Sequence, residues 1–461
     1  MRAMSQSTAP RIARTRLMVG MEVHVELATR TKMFTRTPNP AHPDNFDAAP
    51  NTLIDPVVAA LPGTLPVMNR RAVEMSIMVG LALGCEIPGF CKWDRKNYFY
   101  PDLPKGYQIS QYDLPLCIDG AMEIDAPDGG SKRIGIIRAH LEEDTGKLGH
   151  ELPGGAHYDG SLVDLNRAGT PLLEIVTHPD FQSADEAVAF ARELHRICRF
   201  LGVTPGIMQR GHMRFEPNIN VIIDTEDGHE HRTPVVEIKN LNSFRAVKAA
   251  IEFEHERQVA AWLEDGLVMG PGAKSTRGWD DVKLVTVLQR TKEDAHDYRY
   301  FPEPDLVPVE VSRDWVERIR GELPELPRAR RARYRDMYEL SDRDAAALVE
   351  EPETVAFFEA CVEALRAQAP DRMTEGNAGT ACAKVLLNAG AKRVNETGTA
   401  LHALGITPEQ VAGLIDLRER DVIGSSAADE LFGILCEDGG DPAAVAEARG
   451  LVQVRDEAAL D

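Results

Sequence analysis

Between Leu17 and Leu27 the chain reads L-M-V-G-M-E-V-H-V-E-L, and every odd position is apolar: Leu17, Val19, Met21, Val23, Val25, Leu27. Glu22, His24 and Glu26 fall on the even positions. A period of two predicts a half-buried β-strand. With a rise of about 3.3 Å per residue, alternate side chains stand roughly 6.5 Å apart on one face. Such a strand gives its apolar side to a core and points a carboxylate, an imidazole and a second carboxylate into one volume. A solvated sheet face would carry the same pattern, so the choice rests on what the rest of the chain adds.

At 461 residues the chain is long enough for two to four domains with a sizeable core. No apolar run approaches the 18 residues of a membrane-spanning helix, so no membrane partner is expected. Seven cysteines, an odd number with no C-x-x-C pair, fit free thiols in a reducing cytosol and predict a cytoplasmic protein. The net charge of −21 opposes indiscriminate nucleic-acid binding, which phosphate neutralisation drives. A local basic surface is still compatible with it. Arg328, Arg330, Arg331, Arg333 and Arg335 lie close together and suit either a solvated helix face or an RNA backbone.

Residues 1–16 are Arg-rich and acid-free and are expected to be a flexible leader. Residues 17–310 carry short alternating runs with dense Pro, Gly and Asn punctuation, as in an α+β body with a mixed sheet. Residues 28–66 read as loop, and Asn69–Leu83 as a helix. The stretch Asp94–Asp113, D-R-K-N-Y-F-Y-P-D-L-P-K-G-Y-Q-I-S-Q-Y-D, is too aromatic, charged and Pro-broken for a regular element and predicts an ordered loop lining a site. Arg133–Lys147 begins as a strand and ends in the acidic turn Glu142-Glu143-Asp144. In Ser161–Asp180, Glu174 interrupts the apolar run Leu172–Val176, where an unpaired carboxylate is costly without a cation or an exposed side. Ser183-x-x-Glu186 is a capping box opening a helix that ends at Gly202, and Asn242 or Ser243 caps another. Asn218 and Asn220 share a strand face. From 311 onward the chain is helical, with starts at Ser341, Pro352, Ser425 and Thr407-Pro408-Glu409-Gln410, the last having a Thr cap, Pro at the first position and Gln at the third. From Glu437 the chain is acidic and rich in Gly and Ala, and a loosely held end is expected.

No phosphate loop, dinucleotide fingerprint or nucleophile elbow is present, so any use of ATP would have to do without them. Glu22, His24, Glu26, Glu143 and Glu174 lie on or beside predicted strands. Several carboxylates with one imidazole suit Mg²⁺ or Mn²⁺, in a role that steadies phosphate oxygens during phosphoryl transfer.

Six segments together resemble the GatB family, a subunit family of the aspartyl/glutamyl-tRNA amidotransferases. They are G-M-E-V-H-V-E-L (20–27), Asp94–Asp113, L-E-E-D-T-G-K (141–147), L-N-R-A-G-T-P-L-L-E-I (165–175), E-I-K-N-L-N-S-F (237–244) and D-Y-R-Y-F-P-E-P-D (297–305), in order along the chain. The resemblance implies a cradle domain (17–310), a helical domain (311–405) and a YqeY-like tail (406–461). It implies a ligase, with ATP and Mg²⁺, that phosphorylates the side-chain carboxylate of misacylated Glu-tRNA(Gln) or Asp-tRNA(Asn). Ammonia from glutamine would then displace the phosphate. The partners implied are an amidase subunit, a small third subunit and the misacylated tRNA, in a heterotrimer. His24, Glu143 and Glu174 are implied as metal ligands and Glu22 as a neighbouring catalytic group. Arg95, Lys96, Lys239 and Arg299 are candidates for ATP phosphates or the tRNA end, with structural ion pairs as the alternative. Tyr98, Tyr100 and Tyr107 are either a packing surface for the terminal adenosine or core.

Two segments depart from the family pattern. Q-R-G-H-M-R-F-E-P-N at 209–218 stands where many members have an acidic stretch ending in R-C-D-x-N, so that Glu216 replaces an Asp. The YqeY-like tail is expected to be about half present. Two further readings are a relative that activates a carboxylate on a different carrier and an inactive scaffold subunit.

Overall fold

The computed structural model describes residues 11–152, 155–291 and 298–453. The alternating stretch is the heart of strand β1 (Ile12–Glu26). After it come α1 (Arg70–Ala82), β2 (Phe90–Cys91), β3 (Asp94–Asn97), β4 (Tyr107–Ser110), β5 (Cys117–Asp125), β6 (Ser131–Glu143), β7 (Lys147–Glu151), β8 (His157–Asp164) and β9 (Pro171–Thr177). Then follow α2 (Ala184–Phe200), β10 (Met213–Thr225), β11 (Glu230–Arg232), β12 (Val236–Lys239), α3 (Phe244–Asp265), β13 (Ser275–Asp280), β14 (Val285–Thr291), β15 (Phe301–Pro302), β16 (Val309–Glu310) and α4 (Arg313–Gly321).

One large sheet runs β14-β13-β12-β10-β1-β9-β6-β5, with β11 also on β10. Its pairings are antiparallel except β12 with β13, so the sheet is mixed. The odd residues of β1 from Leu17 to Val25 are buried, Val19, Val23 and Val25 completely. Helices α2 and α3 pack against each other, and Phe244 of α3 meets Phe215 of β10 with ring centroids 5.7 Å apart. Ser183 caps α2 by accepting from the Glu186 N–H at 3.2 Å. The Glu186 carboxylate does not close the expected box: it accepts instead from the Gln182 N–H and from Lys132, both at 2.7 Å. Ser243 caps α3.

Three expectations are corrected here. Residues 11–16 are not leader. Residues 12–16 extend β1, because Arg16 reaches Asp224 at 3.1 Å and Glu230 at 2.6 Å across the neighbouring strands; residues 1–10 lie outside the described residues. Asp94–Asp113 is not all loop: β3 and β4 form a short antiparallel hairpin, with β15 on the far side of β3. The compact unit containing the sheet extends to Pro324 rather than 310, because Glu74 of α1 accepts from Trp315 Nε1 (3.2 Å) and Arg318 (2.7 Å) and so holds α4.

The second unit, from Glu325, is helical: α5 (Pro327–Tyr338), α6 (Asp342–Leu348), α7 (Pro352–Gln368), α8 (Glu375–Val385), α9 (Ala391–Thr397), α10 (Pro408–Glu419), α11 (Ser425–Asp438) and α12 (Pro442–Ala448). The whole is α+β. Thr407 and Gln410 make the reciprocal capping box read from the sequence. α10 packs on α7, so position 405/406 is not a break between compact units. Beyond Glu437 the chain forms α12 and a bridge from Val452 to Ile423, an ordered end where a loose one was expected; residues 454–461 lie outside the described residues. In the arginine cluster, Arg330 and Arg333 pair with Glu325 and Glu359, and Arg331 and Arg335 with Asp342. Those four charges are thus largely answered within the unit.

Candidate active site

The polar face of the sheet is assembled by register. His24 of β1 lies opposite Glu174 of β9 on one side and Arg214 of β10 on the other, and Glu174 lies opposite His140 of β6. Glu22 lies opposite Glu216. Directly opposed residues of antiparallel strands project to the same side, so four strands place acids and imidazoles on one surface.

His24, Glu142 and Glu174 bring one donor atom each within 4.8 Å of the others, and Glu22, Glu216 and Glu237 do the same beside them. His24 joins the two groups: its Nε2 is 3.4 Å from Glu174 Oε2 and its Nδ1 is 3.9 Å from Glu216 Oε1. Ser110 Oγ donates to Glu142 at 3.2 Å, and Asn218 donates to Glu22 at 2.9 Å. Lys239 pairs with Glu216 and lies 3.5 Å from Glu237.

The electrostatics follow from crowding. Burial disfavours the His24 imidazolium, yet Glu216 and Glu174 outweigh it and push the group up to about 9. Burial and neighbouring Glu174 push Glu142 up to about 7. Burial works against the Glu174 carboxylate, while the flanking imidazoles of His140 and His24 hold it well below its ordinary range. Lys96 is held charged against burial by Glu142 and Glu174. The donor set fits a hard divalent cation. It is rich in carboxylates that repel one another, it includes one imidazole, and the Nδ1 atoms of His24 and His140 are buried with no hydrogen-bond partner.

The residues expected from sequence divide. Glu22, His24 and Glu174 share the polar face, as the alternation in β1 and the opposed β9 require. Glu143 is the correction. Strand β6 continues through it, so it projects to the face opposite Glu142. There it pairs with Lys105 and accepts from the Ile109 N–H at 3.0 Å. Glu142 is the acid of this strand that lies beside His24 and Glu174. Glu26, on the polar face, lies 3.5 Å from Arg214, which also donates to Asp144 at 2.8 Å. Arg95 forks onto Glu303 at 2.7 and 2.8 Å and covers Tyr107 at 4.2 Å. Lys239 serves the Glu216–Glu237 pair. Lys96 remains beside the acids and Arg299 is exposed. Tyr98 is half-buried and bonded to Gln108, whereas Tyr100 is exposed. Sequence reasoning misses His140, Glu142 and Glu237. The alternation of Leu141 with His140 and Glu142 is the available signal for the first two.

Residues 17–317 match the GatB/GatE catalytic domain profile, and residues 371–461 match the GatB domain that follows it. The chain belongs to the GatB family. A Thermomicrobium roseum protein named as a subunit of the aspartyl/glutamyl-tRNA(Asn/Gln) amidotransferase is 47% identical over 442 residues, 96% of this chain and 86% of the relative. Proteins named in the same way from Synechococcus elongatus and Caldanaerobacter subterraneus are 44% and 43% identical, over 99% and 96% of this chain and 88% and 87% of their own lengths. As a GatB-family chain it belongs with ligases that form carbon–nitrogen bonds, and each of these relatives is named as a subunit of an amidotransferase. No helix among its described residues is long and apolar enough to cross a membrane. Its seven cysteines are free.

Proposed function

We propose that this GatB-family chain activates the side-chain carboxylate of Glu-tRNA(Gln) or Asp-tRNA(Asn) and amidates it, as a cytoplasmic protein working with an amidase subunit and a small third subunit. The observation that carries this reading is the gathering of His24, Glu142 and Glu174, beside Glu22, Glu216 and Glu237, on one sheet face next to Lys96.

A carboxylate resists ammonia because an oxide would have to leave. In the proposed sequence a substrate carboxylate oxygen attacks the γ-phosphorus of ATP, and ADP departs. Ammonia released from glutamine then attacks the acyl carbon, phosphate leaves and a proton is lost. Bound Mg²⁺ would offset the charge of phosphate approaching carboxylate. His24, Glu142 and Glu174 would hold it directly, and Glu22 directly or through water. Lys96, kept charged by the same acids, would hold a phosphate oxygen or the substrate carboxylate. Lys239, paired with Glu216 and 3.5 Å from Glu237, would offset the repulsion between those two acids.

The test is amidation by the reconstituted three-subunit complex, given ATP, Mg²⁺ and glutamine with each charged tRNA separately. Gln-tRNA or Asn-tRNA is the expected product. An assembled complex with working glutaminase and no product from either tRNA would overturn the reading in favour of a different carrier.

A further inference from the structure

The hairpin β3–β4 carries Lys96 near the end of its first strand and the run Tyr98-Phe99-Tyr100 in the connection beyond it. From the acidic site outward the aromatic rings form a row. Lys96 Nζ sits 5.2 Å from the Tyr298 ring and 5.9 Å from the Tyr98 ring, and the rings of Tyr98 and Tyr100 are 6.2 Å apart. Tyr98 is half-buried, while Tyr100 is 52% exposed and Phe99 is 81% exposed.

Phe99 is exposed but not loose. Its ring lies against Gly106, where an added Cβ would stand 3.0 Å from Cε1 and 3.2 Å from Cδ1. Gly106 also has φ +72°, which only glycine adopts easily. The turn is closed by the Tyr98 N–H to Gly106 carbonyl bond at 3.2 Å and the Gly106 N–H to Leu103 carbonyl bond at 3.0 Å. A large apolar ring is therefore seated on the turn backbone and left open to solvent. Asn97 Nδ2 donates to the Arg299 carbonyl at 2.8 Å, which ties the start of this turn to the backbone at residue 299. Seated, solvent-open aromatic rings in line with a charged site are what unpaired nucleic-acid bases require.

We infer that Phe99 and Tyr100 form a stacking platform for the unpaired 3′ bases of aminoacyl-tRNA, delivering its aminoacyl group to the Lys96–Glu142–Glu174 site. The inference rests on the function proposed above and adds to it the residues that grip the single-stranded end. Stacking suits that task because every base has a π face, whereas the aminoacyl group beyond the last base must be presented to the acids without being gripped itself.

The experiment measures binding of two RNAs to the whole three-subunit complex: intact tRNA, and the same tRNA trimmed of its unpaired 3′ nucleotides. Phe99→Ala is expected to weaken intact tRNA on the order of tenfold and to leave the trimmed RNA unchanged, with Phe99→Trp restoring affinity. Equal weakening of both RNAs, no weakening of either, loss of complex assembly (a protein contact), or a change in binding of a fluorescent ATP analogue alone (an adenine seat) would each overturn the platform. If the wild-type complex binds neither RNA, the proposed function falls together with the inference. Wild-type binding with an insensitive Phe99→Ala sinks the inference alone.

Discussion

Glu142 and Glu143 are neighbours on β6 that serve opposite faces of the sheet: Glu142 faces His24 and Glu174, and Glu143 pairs with Lys105. Their amide variants should part accordingly. Glu142→Gln should lower amidation by about 100-fold or more and weaken Mn²⁺ binding followed by electron paramagnetic resonance, with little change in melting temperature. Glu143→Gln should retain Mn²⁺ binding and lose about 1–3 kcal/mol of stability. The reverse outcome would return the ligand role to Glu143.

Lys32 is fully buried, and its ammonium donates to the carbonyls of Leu53 and Ala168 at 2.7 Å and of Leu165 at 3.4 Å. It thus ties the loops after β1 to the chain entering β9. Lys32→Met keeps the volume and leaves those acceptors unanswered, so denaturant unfolding should show a loss of about 2–4 kcal/mol. An unchanged midpoint would mean that water replaces the ammonium without loss.

His212 is 2% exposed, packs on Phe46 with ring centroids 5.1 Å apart and accepts from the Ile207 N–H at 3.4 Å. Burial, helped by Arg210, pushes it down to about 4 from 6.5. The folded state therefore holds a neutral ring while the unfolded chain takes up a proton. The contribution is complete above pH 6.5 and is lost as the pH falls toward 4. Melting curves across that window should show His212→Asn losing less stability than wild type, by up to about 1 kcal/mol per pH unit. Parallel curves would place the acid sensitivity elsewhere.

In the helical unit, Gly379 passes so close to Tyr338 that an added Cβ would stand 2.2 Å from the ring. Tyr338 cannot easily retreat, because Tyr334 and Phe358 enclose it at 5.3 and 5.6 Å. Gly379→Ala should cost about 2–3 kcal/mol of that unit's stability. Limited proteolysis should show cleavage after Glu325 rising while the sheet unit stays resistant.

Strand β1 is legible in the sequence because one residue per side of the pleat decides everything about it, and Val19, Val23 and Val25 leave no ambiguity about which side is inward. The same rule governs β6, but the acidic run Glu142-Glu143-Asp144 looks like a turn, and reading it as one discards the parity that separates Glu142 from Glu143. Glu237 is hidden for another reason. β12 spans only Val236–Lys239, too short for a period to show, and it reaches the site solely by pairing with β10 at Asn218 and Ile219. Among the cations, sequence alone could not divide Arg95 from Lys96, since the divider is Glu303, 208 positions from Arg95 along the chain.

The central strand also limits how this chain can change over generations. Substitutions in β1 can be absorbed one face at a time, but a single-residue insertion or deletion within it would exchange the two faces beyond that point. Val23 and Val25 would meet water just as Glu22, His24 and Glu26 were driven among Val19 and Phe215. One lesion would remove core and chemistry together, so no partly working descendant lies on that route. Length variation should therefore collect in the loops, and β1 should keep its residue count wherever this sheet is inherited.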